Sequence, residues 1–479
     1  MTRSLPRPWK TVFVKQKLTE MNFSLRKDSP SRRLLSLQVR LFFFWLLMIN
    51  QVGCEKKNNP ELPIEALREN VFAIDPENYS GPLKHLTKPG AIFVPAKQPT
   101  PNAQGVSSPA GFLGPESCRD CHSAHVDSCA DTAHYRTFRL PTPDSLPDSF
   151  QPQKNVLVTS VSELSFHMNR RGDEYFQDLR IQRNDQTYVH SRRIDYVTGS
   201  AKYGQTFLYV ENQCFYELPV SHFTDLGEWV NSPGYVDGVA NFARPISSRC
   251  LECHTTWFRQ DGKPFNRFND EGAVFGITCE KCHGPGQEHI DYHRRNPAAT
   301  EPAQIINPGH LSRDLSIDLC SLCHSGVGEA VKPAFSFRPG DKLTDFVTIP
   351  PDSESGPGGV HSANQQARMA LSKCFQQSSD MQCTTCHNPH HQERGNAKLF
   401  IERCFKCHES GDCRIVRETG AAAESRCIDC HMPSRADSQM PMQKEKETFR
   451  PMLRDHLIDI WDDKTAEVLK EIASGGSKP

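Results

Sequence analysis

One pattern of five residues, Cys-x-x-Cys-His, occurs seven times in this chain of 479 residues and constrains its fold more than any other feature. The frequencies of cysteine and histidine predict only about 0.03 copies by chance. The pattern uses 14 of the 19 cysteines, so most of the thiols serve one repeated chemical task. The copies are numbered here as motifs 1 to 7 and span Cys118–His122, Cys250–His254, Cys279–His283, Cys320–His324, Cys383–His387, Cys404–His408 and Cys427–His431.

The spacing within each motif matches the covalent attachment of haem. Two thiols three residues apart can each add to one vinyl group, and the next histidine lies under the ring, where imidazole binds iron. Zinc sites and thioredoxin-like sites also use Cys-x-x-Cys, but neither requires a histidine after every second cysteine. The sequence therefore predicts seven haem c groups. The attachment pairs are Cys118 and Cys121, Cys250 and Cys253, Cys279 and Cys282, Cys320 and Cys323, Cys383 and Cys386, Cys404 and Cys407, and Cys427 and Cys430, with His122, His254, His283, His324, His387, His408 and His431 as proximal ligands.

Thirteen further histidines can supply a second axial ligand to every iron, so the sequence does not require an open iron. The weaker candidates for distal ligands are His125, His222, His293 and His310. His85, His167 and His190 are expected on the surface or in sheets. His391 is expected to flank His390 without binding iron. Placement near motifs or helices favours five distal ligands, His134, His289, His361, His390 and His456.

The N-terminal 53 residues have the features of an export signal. They hold ten basic and two acidic residues, and the apolar run Leu41–Met48 is shorter than the roughly 20 residues that span a bilayer. The pair Gly53-Cys54 ends this run as a lipoprotein box does, although Gln51 departs from that pattern. We expect an exported protein of the periplasm or cell envelope, with either a lipid anchor on Cys54 or simple cleavage nearby.

The net charge of the chain argues against nucleic acid as a partner. The whole chain has a net charge of −1, and residues 54–479 retain 46 basic and 55 acidic residues, a net charge of −9. With no long block of like charge, binding to nucleic acid through phosphate contacts is not expected. The expected partners are redox proteins.

The motif spacing also predicts how the chain is divided. His122 and His254 are 132 residues apart, whereas later motif histidines are 21 to 63 residues apart. Alternating β-rich segments in the wide gap predict a small antiparallel insertion. The predicted segments are a leader (1–53), a Pro-rich tether (54–117), a first haem segment (118–149), the β-rich insertion (150–249), a domain with six haems (250–440) and a C-terminal segment (441–479). The tether could instead pack on the folded domain as a strap at Ala91–Val94. The C-terminal segment is expected to form a helix from about Asp455.

Four cysteines outside the motifs and the leader have no assigned role. They could form up to two disulfides or stay as thiols, and the sequence leaves both outcomes open. These residues are Cys129, Cys214, Cys374 and Cys413.

Several segments resemble known multihaem cytochromes. Residues 118–134 resemble the first-haem segment of the superfamily that includes the tetrahaem cytochromes of ammonia oxidisers, hydroxylamine oxidoreductase and pentahaem nitrite reductase. Tyr196-Val-Thr-Gly-Ser, Cys279-Glu-Lys-Cys-His-Gly-Pro-Gly and Cys427-Ile-Asp-Cys-His-Met-Pro resemble exported heptahaem cytochromes of planctomycetes more closely. The resemblance implies closely packed haems and the five distal histidines named above. The nitrite reductases carry a catalytic motif that ends in Lys, and all seven motifs here end in His, so that active site is not carried over.

Two functions follow as hypotheses. The expected fold is a mostly α-helical and irregular multihaem cytochrome c fold with a small antiparallel β insertion between haems 1 and 2. The first hypothesis is electron transfer along closely packed haems in an extracytoplasmic redox chain. The second is an oxidoreductase that acts on a small nitrogen or sulfur compound at one haem with an open distal side. The sequence assigns no catalytic residue for the second.

Overall fold

The computed structural model describes residues 70–78, 88–98, 111–326, 328–349 and 359–475, and all seven motifs lie within these ranges. The predicted leader, Cys54 and His85 lie outside them. Within the described ranges, no helix combines the length and the apolar character that crossing a bilayer requires.

Two antiparallel sheets occupy most of the chain between motifs 1 and 2. Strands β4 to β7 form a four-stranded meander in chain order, and the second sheet has the order β12-β11-β9-β8-β3, with β10 also paired to β9. These strands are β3 (Phe138–Arg139), β4 (Val156–Val158), β5 (Leu164–Arg171), β6 (Glu174–Arg183), β7 (Gln186–Arg193), β8 (Tyr196–Thr198), β9 (Gly204–Glu211), β10 (Cys214–Glu217), β11 (Val220–Phe223) and β12 (Glu228–Asn231).

The two sheets share a side-chain core. In β5, Leu164, Phe166 and Met168 point to the buried face and alternate with partly exposed residues, as expected when one face of a strand is buried. They join Phe207 of β9 and Trp229 of β12 in one apolar cluster. This part of the chain therefore packs around ordinary side chains and requires no haem for its core.

Part of the predicted tether packs against the folded region as a strap. Strand β1 (Val71–Ile74) pairs in parallel with β2 (Ile92–Pro95), which also pairs with β13 (Ala240–Asn241). Ala91 to Val94 are buried, with Ala91 fully covered. An extended linker is therefore the wrong description of this segment, because the run Ala91–Val94 is apolar enough to add a buried strand.

The helices of the described residues are short, and several of them carry motifs. Each is a few turns or less, because a Cys-x-x-Cys-His motif needs a single turn and Pro- or Gly-rich loops separate the copies. The helices are α1 (Arg119–Ala130), α2 (Ser248–His254), α3 (Cys279–His283), α4 (Gln287–Arg295), α5 (Arg313–His324), α6 (Gln365–Ala370), α7 (Lys373–Gln377), α8 (Cys383–Cys386), α9 (Ala397–Cys404), α10 (Arg414–Thr419), α11 (Ala421–Glu424), α12 (Cys427–His431) and α13 (Asp462–Ala473).

The expected mostly α-helical fold class is wrong. The structure has 32% helix and 25% strand, and the strands are not confined to the insertion. Six of them lie within or after the region of dense motifs and form three two-stranded sheets. These strands are β14 (Thr255–Gln260), β15 (Phe268–Phe275), β16 (Ser434–Ala436), β17 (Met442–Lys444), β18 (Glu447–Phe449) and β19 (Met452–Arg454).

The C-terminal helix begins later than its periodicity predicts. It starts at Asp462, and the expected start at Asp455 is instead a turn in which the Asp455 carboxylate accepts the Leu457 amide at 3.0 Å. Asp455 and Leu457 thus follow β19 as non-helical chain.

One glycine brings the segment after motif 1 against the start of motif 3. Gly276 has a φ of +67°, and a Cβ atom there would overlap the Tyr135 carbonyl oxygen. The next amide, of Ile277, donates to the His134 carbonyl at 2.9 Å. This close approach places His134, a distal-ligand candidate, beside the chain that leads into α3.

Candidate haem sites

In five motifs, numbers 2, 3, 4, 5 and 7, both cysteines lie on one face of a single helix. Residues three apart on a helix are neighbours, so both thiols can reach one ring. Polar caps begin several of these helices: Ser247 accepts the Cys250 amide before α2, Ser312 accepts the Leu315 amide before α5, and Asn396 caps α9. After α3, Gly284 ends the helix with a φ of +82°.

The motifs contact one another in an order that differs from their order in the chain. The Cys118 thiol of motif 1 hydrogen-bonds Cys279 of motif 3, and the hydrogen bond and burial raise the pKa of Cys118. Cys253 of motif 2 is bonded in the same way to Cys323 of motif 4. Motif 2 therefore lies beside motif 4, and it also contacts motif 3, because Lys281 donates to the Glu252 carbonyl at 2.7 Å.

The remaining motifs continue this sequence of contacts. Cys320 of motif 4 hydrogen-bonds Cys383 of motif 5, and the nearby Cys282 thiol of motif 3 also raises its pKa. Burial and then the Cys404 thiol raise the pKa of Cys386, and the same two causes raise the pKa of Cys427 to about 11. The spatial order is thus 1-3-4-5-6-7: hydrogen bonds join motifs 1 and 3 and motifs 4 and 5, whereas the other neighbours lie within electrostatic range of each other. Motif 2 lies to the side of this order, beside motifs 3 and 4.

Three distal candidates face a motif histidine across a gap suited to a metal ion. The ring centroids are 6.1 Å apart for His134 and His324, 6.1 Å for His390 and His283, and 6.0 Å for His456 and His387. Two nitrogens each about 2 Å from one metal place the ring centres roughly 6 Å apart, after about 1.1 Å is added on each side.

His289 lies in a cluster of histidines around motifs 1 and 3. Burial and then His289 lower the pKa of His122, with smaller contributions from His125, His283 and His293. The His289 and His293 rings are 4.7 Å apart, and His125 lies 5.4 Å from His390. The weaker candidates His125 and His293 therefore share this cluster with His289.

The other predicted ligands have no such pairing. Within the described residues, no histidine ring lies against His254, His408, His431 or the distal candidate His361. His361 is buried, at 9% exposure, and makes its hydrogen bond to a carboxylate.

Six of the predicted ligands are oriented through their Nδ1 atom, which leaves Nε2 for a metal. His254 contacts the Thr137 hydroxyl at 2.9 Å, and His361 contacts the Asp437 carboxylate at 2.8 Å. A metal-binding histidine characteristically uses its other ring nitrogen in this way. The other four bind main-chain carbonyls: His283 with Ile306, His289 with Ala303, His431 with Asp459 and His456 with Arg454.

Burial keeps several imidazoles neutral at physiological pH. It lowers the pKa of His134 and of His456 to about 4, with smaller contributions from neighbouring histidines. Burial also lowers the pKa of His254, His387 and His390. A neutral imidazole has a free nitrogen lone pair, which metal binding requires.

The cysteines do not assemble a zinc site within the described residues. No three His, Cys, Asp or Glu side chains there converge on a point that could hold a metal ion. The four cysteines whose pairing the sequence left open form no disulfide. These four are Cys129, Cys214, Cys374 and Cys413.

Buried carboxylates within the motifs were not identified from the sequence. Glu280, inside motif 3, accepts the amides of Leu113 at 2.9 Å, Gly114 at 2.7 Å and Gly286 at 2.8 Å. Glu252, inside motif 2, accepts the Phe335 amide at 2.6 Å. These bonds join each motif to distant chain, and the spacing of a motif carries no signal for them.

Comparison with known proteins agrees with this geometry. The family model described as cytochrome c554 and c-prime matches residues 237–284, which include motifs 2 and 3. The crystal structure of the outer cell wall cytochrome OcwA aligns with a TM-score of 0.50 and 17% identity, covering 77% of this chain and 85% of that one. These findings support a multihaem c-type cytochrome.

Two further likenesses are more distant or partial. Dissimilatory sulfite reductase MccA of Wolinella succinogenes is 20% identical over 400 residues, which cover 68% of this chain and 51% of that protein. The chain thus spans about half the length of this curated relative. The undecahaem cytochrome from the S-layer of Carboxydothermus ferrireducens aligns with a TM-score of 0.32 and 17% identity, over 69% of this chain and 48% of that chain.

The residues present fit haem c. In five motifs the two thiols share a helix face, three pairs of imidazoles are spaced for one metal each, and six imidazoles are held through Nδ1. Haem, when attached, supplies an iron that changes between the ferrous and ferric states. The chain anchors the ring through its thiols, orients the imidazoles and keeps them neutral.

Proposed function

We propose that this chain is an exported heptahaem cytochrome that transfers electrons between redox partner proteins. The observation that supports this most directly is the proximity of the motif thiols in the order 1-3-4-5-6-7. Haems attached at neighbouring motifs would lie close together, so an electron could pass along them in short steps.

The facing histidines suit single-electron transfer. We assign His134 to the iron at motif 4, His390 to that at motif 3 and His456 to that at motif 5, with His289 as the partner of His122. Two neutral imidazoles bind both oxidation states of iron, so little rearrangement accompanies each step. Covalent anchoring and the hydrogen bonds at Nδ1 keep the geometry rigid.

Location follows from the leader and the chemistry of attachment. The basic stretch and short apolar run of residues 1–53 support export to the periplasm or cell envelope, and Gly53-Cys54 supports a lipid anchor there. The name of OcwA, an outer cell wall protein, agrees with such a location. Soluble or membrane-bound redox proteins would then be the partners.

The haem count and the spin state of the irons test this proposal. Alkaline pyridine spectra of the purified protein should give seven haems per chain, and electron paramagnetic resonance of the oxidised protein should give low-spin signals. A dominant high-spin signal from a fully loaded preparation would contradict the electron carrier. The variant His456→Ala checks one assigned ligand. It should convert no more than one iron, the one at motif 5, to high spin.

One observation favours a second candidate, an oxidoreductase at motif 2. His254 is the motif histidine of the branch, and no imidazole lies against it among the described residues. Two cations flank this motif: Arg249 pairs with the Glu252 carboxylate and donates to the Leu322 carbonyl at 3.0 Å, and Lys281 donates to the Glu252 carbonyl at 2.7 Å. Positive charge beside an iron with an open side would suit a small oxyanion, and the likeness to MccA agrees with sulfite.

Ligand-induced spectral change separates the two candidates. If motif 2 holds an open iron, the oxidised protein has one high-spin signal that shifts on addition of sulfite, nitrite or hydroxylamine. Arg249→Gln should weaken the apparent affinity for the anions about tenfold or more, whereas Arg414→Gln, on the surface, should not. An unchanged spectrum at high concentrations of all three compounds would exclude the oxidoreductase.

A further inference from the structure

The distal candidate His361 forms a hydrogen bond that sets it apart from the other predicted ligands. Its Nδ1 atom lies 2.8 Å from Oδ2 of Asp437, and the two side chains are 11% and 0% exposed. His361 precedes α6, and Asp437 directly follows β16. The two residues are 76 positions apart, so the fold and not the local chain brings them together.

The Asp437 carboxylate is placed to accept hydrogen bonds only. Its Oδ1 atom accepts the amide of Gln439 at 2.7 Å and that of Met440 at 2.9 Å, while Oδ2 faces His361. All three neighbours can donate, and a carboxylate that receives three donors is in its ionised form. Among the described residues, no Lys or Arg nitrogen forms an ion pair with it.

The corresponding bonds of the other ligands go to neutral groups. Main-chain carbonyls face Nδ1 of His283, His289, His431 and His456, and a hydroxyl faces that of His254. Of the six imidazoles held in this way, that of His361 is therefore the one held by a full negative charge. A charge-assisted bond in a buried place is stronger than a neutral one.

We infer that Asp437 tunes one iron: the Asp437–His361 pair makes His361 a more electron-donating ligand and lowers the reduction potential of the haem that it binds. A carboxylate on the outer nitrogen raises the basicity of a metal-bound histidine. A more basic ligand stabilises the ferric over the ferrous state, and second-shell hydrogen bonding is one means by which a protein sets a haem potential. The inference rests on the proposed electron-transfer function and on the predicted role of His361 as a distal ligand. It deepens that function, because one haem of distinct low potential biases where electrons reside along the chain. Asp437 acts as a positioning and tuning residue through His361.

Substitution of the carboxylate by its amide tests this inference. The test is a spectroelectrochemical titration of the fully loaded protein with Asp437→Asn. One redox step should have a higher midpoint potential than in the wild type. The expected shift is at least a tenfold change in the one-electron equilibrium, or about 59 mV. Asp437→Glu keeps the charge and should displace the same step by less. Asp173→Asn removes an exposed carboxylate and serves as the control for net charge.

The variants can contradict the proposed tuning by Asp437 in two ways, through the redox potential and through the spin state. No displacement beyond that of Asp173→Asn, or equal displacements in the Asn and Glu variants, would overturn the tuning by charge. If Asp437→Asn does not load its haems, Asp437→Ser supplies a second neutral variant with the same expectation. His361→Ala should convert one iron from low to high spin. If every iron stays low-spin in that variant, His361 is not a ligand and the inference fails, while the electron-transfer proposal stands on the remaining haems.

Discussion

Single hydrogen bonds decide which nitrogen of a histidine is available to bind iron. For His254 the partner is the Thr137 hydroxyl, 117 positions earlier, and for His431 it is the Asp459 carbonyl, 28 positions later. The motif pattern predicts the proximal histidines because haem attachment is local chemistry. It carries no information on these partners, since they depend on how distant segments meet.

The side chain of Arg403 provides a residue-scale prediction on pH. Arg403 donates to the Cys386 carbonyl of motif 5 and to Glu393, with a 2.7 Å contact to Oε2, and this hydrogen-bonded pair lowers the pKa of Glu393 to about 2. An unfolded Glu has a pKa of about 4.3, so the folded value is depressed and the pair stabilises the fold above that pH, by at most about 3 kcal/mol. The stabilisation should be lost as the pH falls from 4.3 towards 2.

Denaturant unfolding of the wild type and Glu393→Gln across this pH range checks the expectation. The wild type should be more stable by about 1–3 kcal/mol at pH 6, and the difference should vanish near pH 2. Glu402→Gln, which alters an exposed pair with Lys398, is the matched control and should change stability by less than about 1 kcal/mol. A difference between wild type and Glu393→Gln that is constant with pH would contradict the linkage.

Elements of the β region could be located from the sequence, and those around the motifs could not. Alternation of apolar and polar residues marks β5 and β6, because their side chains pack a core of their own. The strands β14 to β19 lie among motifs that favour helical turns. The side chains of β14 and β15 share a core with the β region, because Phe258 and Phe268 pack in one cluster with Phe215. Helix α13 was predicted too early because Asp455 takes a main-chain amide and holds the chain in a turn.

A buried ion pair joins two of these elements beside a predicted ligand. Arg368 of α6 donates from Nε to Oδ1 of Asp455 at 2.9 Å and from Nη2 to Oδ2 at 2.7 Å, and the side chains are 2% and 0% exposed. His456 follows Asp455 directly. Arg435 makes a further contact to the carboxylate at 3.2 Å. The pair thereby fixes the position from which His456 faces His387.

Loss of this arginine should destabilise the fold and disturb one haem. Arg368→Met leaves the Asp455 carboxylate buried with Arg435 as its remaining charged partner, and the expected cost is about 3 kcal/mol. Thermal unfolding measures the loss, and electron paramagnetic resonance should show one altered low-spin signal. Arg414→Met, which breaks an exposed pair with Glu418, should alter neither. If the double variant Arg368→Met with Asp455→Leu restores stability but not the signal, the pair positions His456 in addition to stabilising the fold.

At the scale of the whole molecule, the spatial order of the motifs is the property that the sequence conceals. The sequence predicts the positions of the motifs from a five-residue pattern, and it predicts haem attachment from the chemistry of that pattern. It does not predict which motifs meet, because the contacts of Cys118 with Cys279 and of Cys253 with Cys323 join segments 161 and 70 positions apart. Such contacts place motif 2 to the side of motif 4. The proposed path for electrons therefore bypasses the second motif of the chain.

The branched order makes motif 4 the junction of the path, and its loss should divide the molecule. With the protein attached to an electrode through an azide-bearing side chain at Asp120, which is exposed in motif 1, fast-scan voltammetry counts the haems in rapid contact with the electrode. In Cys320→Ser with Cys323→Ser, only the haems at motifs 1, 2 and 3 should respond at high scan rate, because motif 2 contacts motif 3 while motifs 5 to 7 are reached through motif 4. The matched variant Cys250→Ser with Cys253→Ser also removes one haem, and there the remaining haems should all respond. Each variant should carry one haem fewer by its pyridine spectrum, and a response of equal size from both would contradict a junction at motif 4.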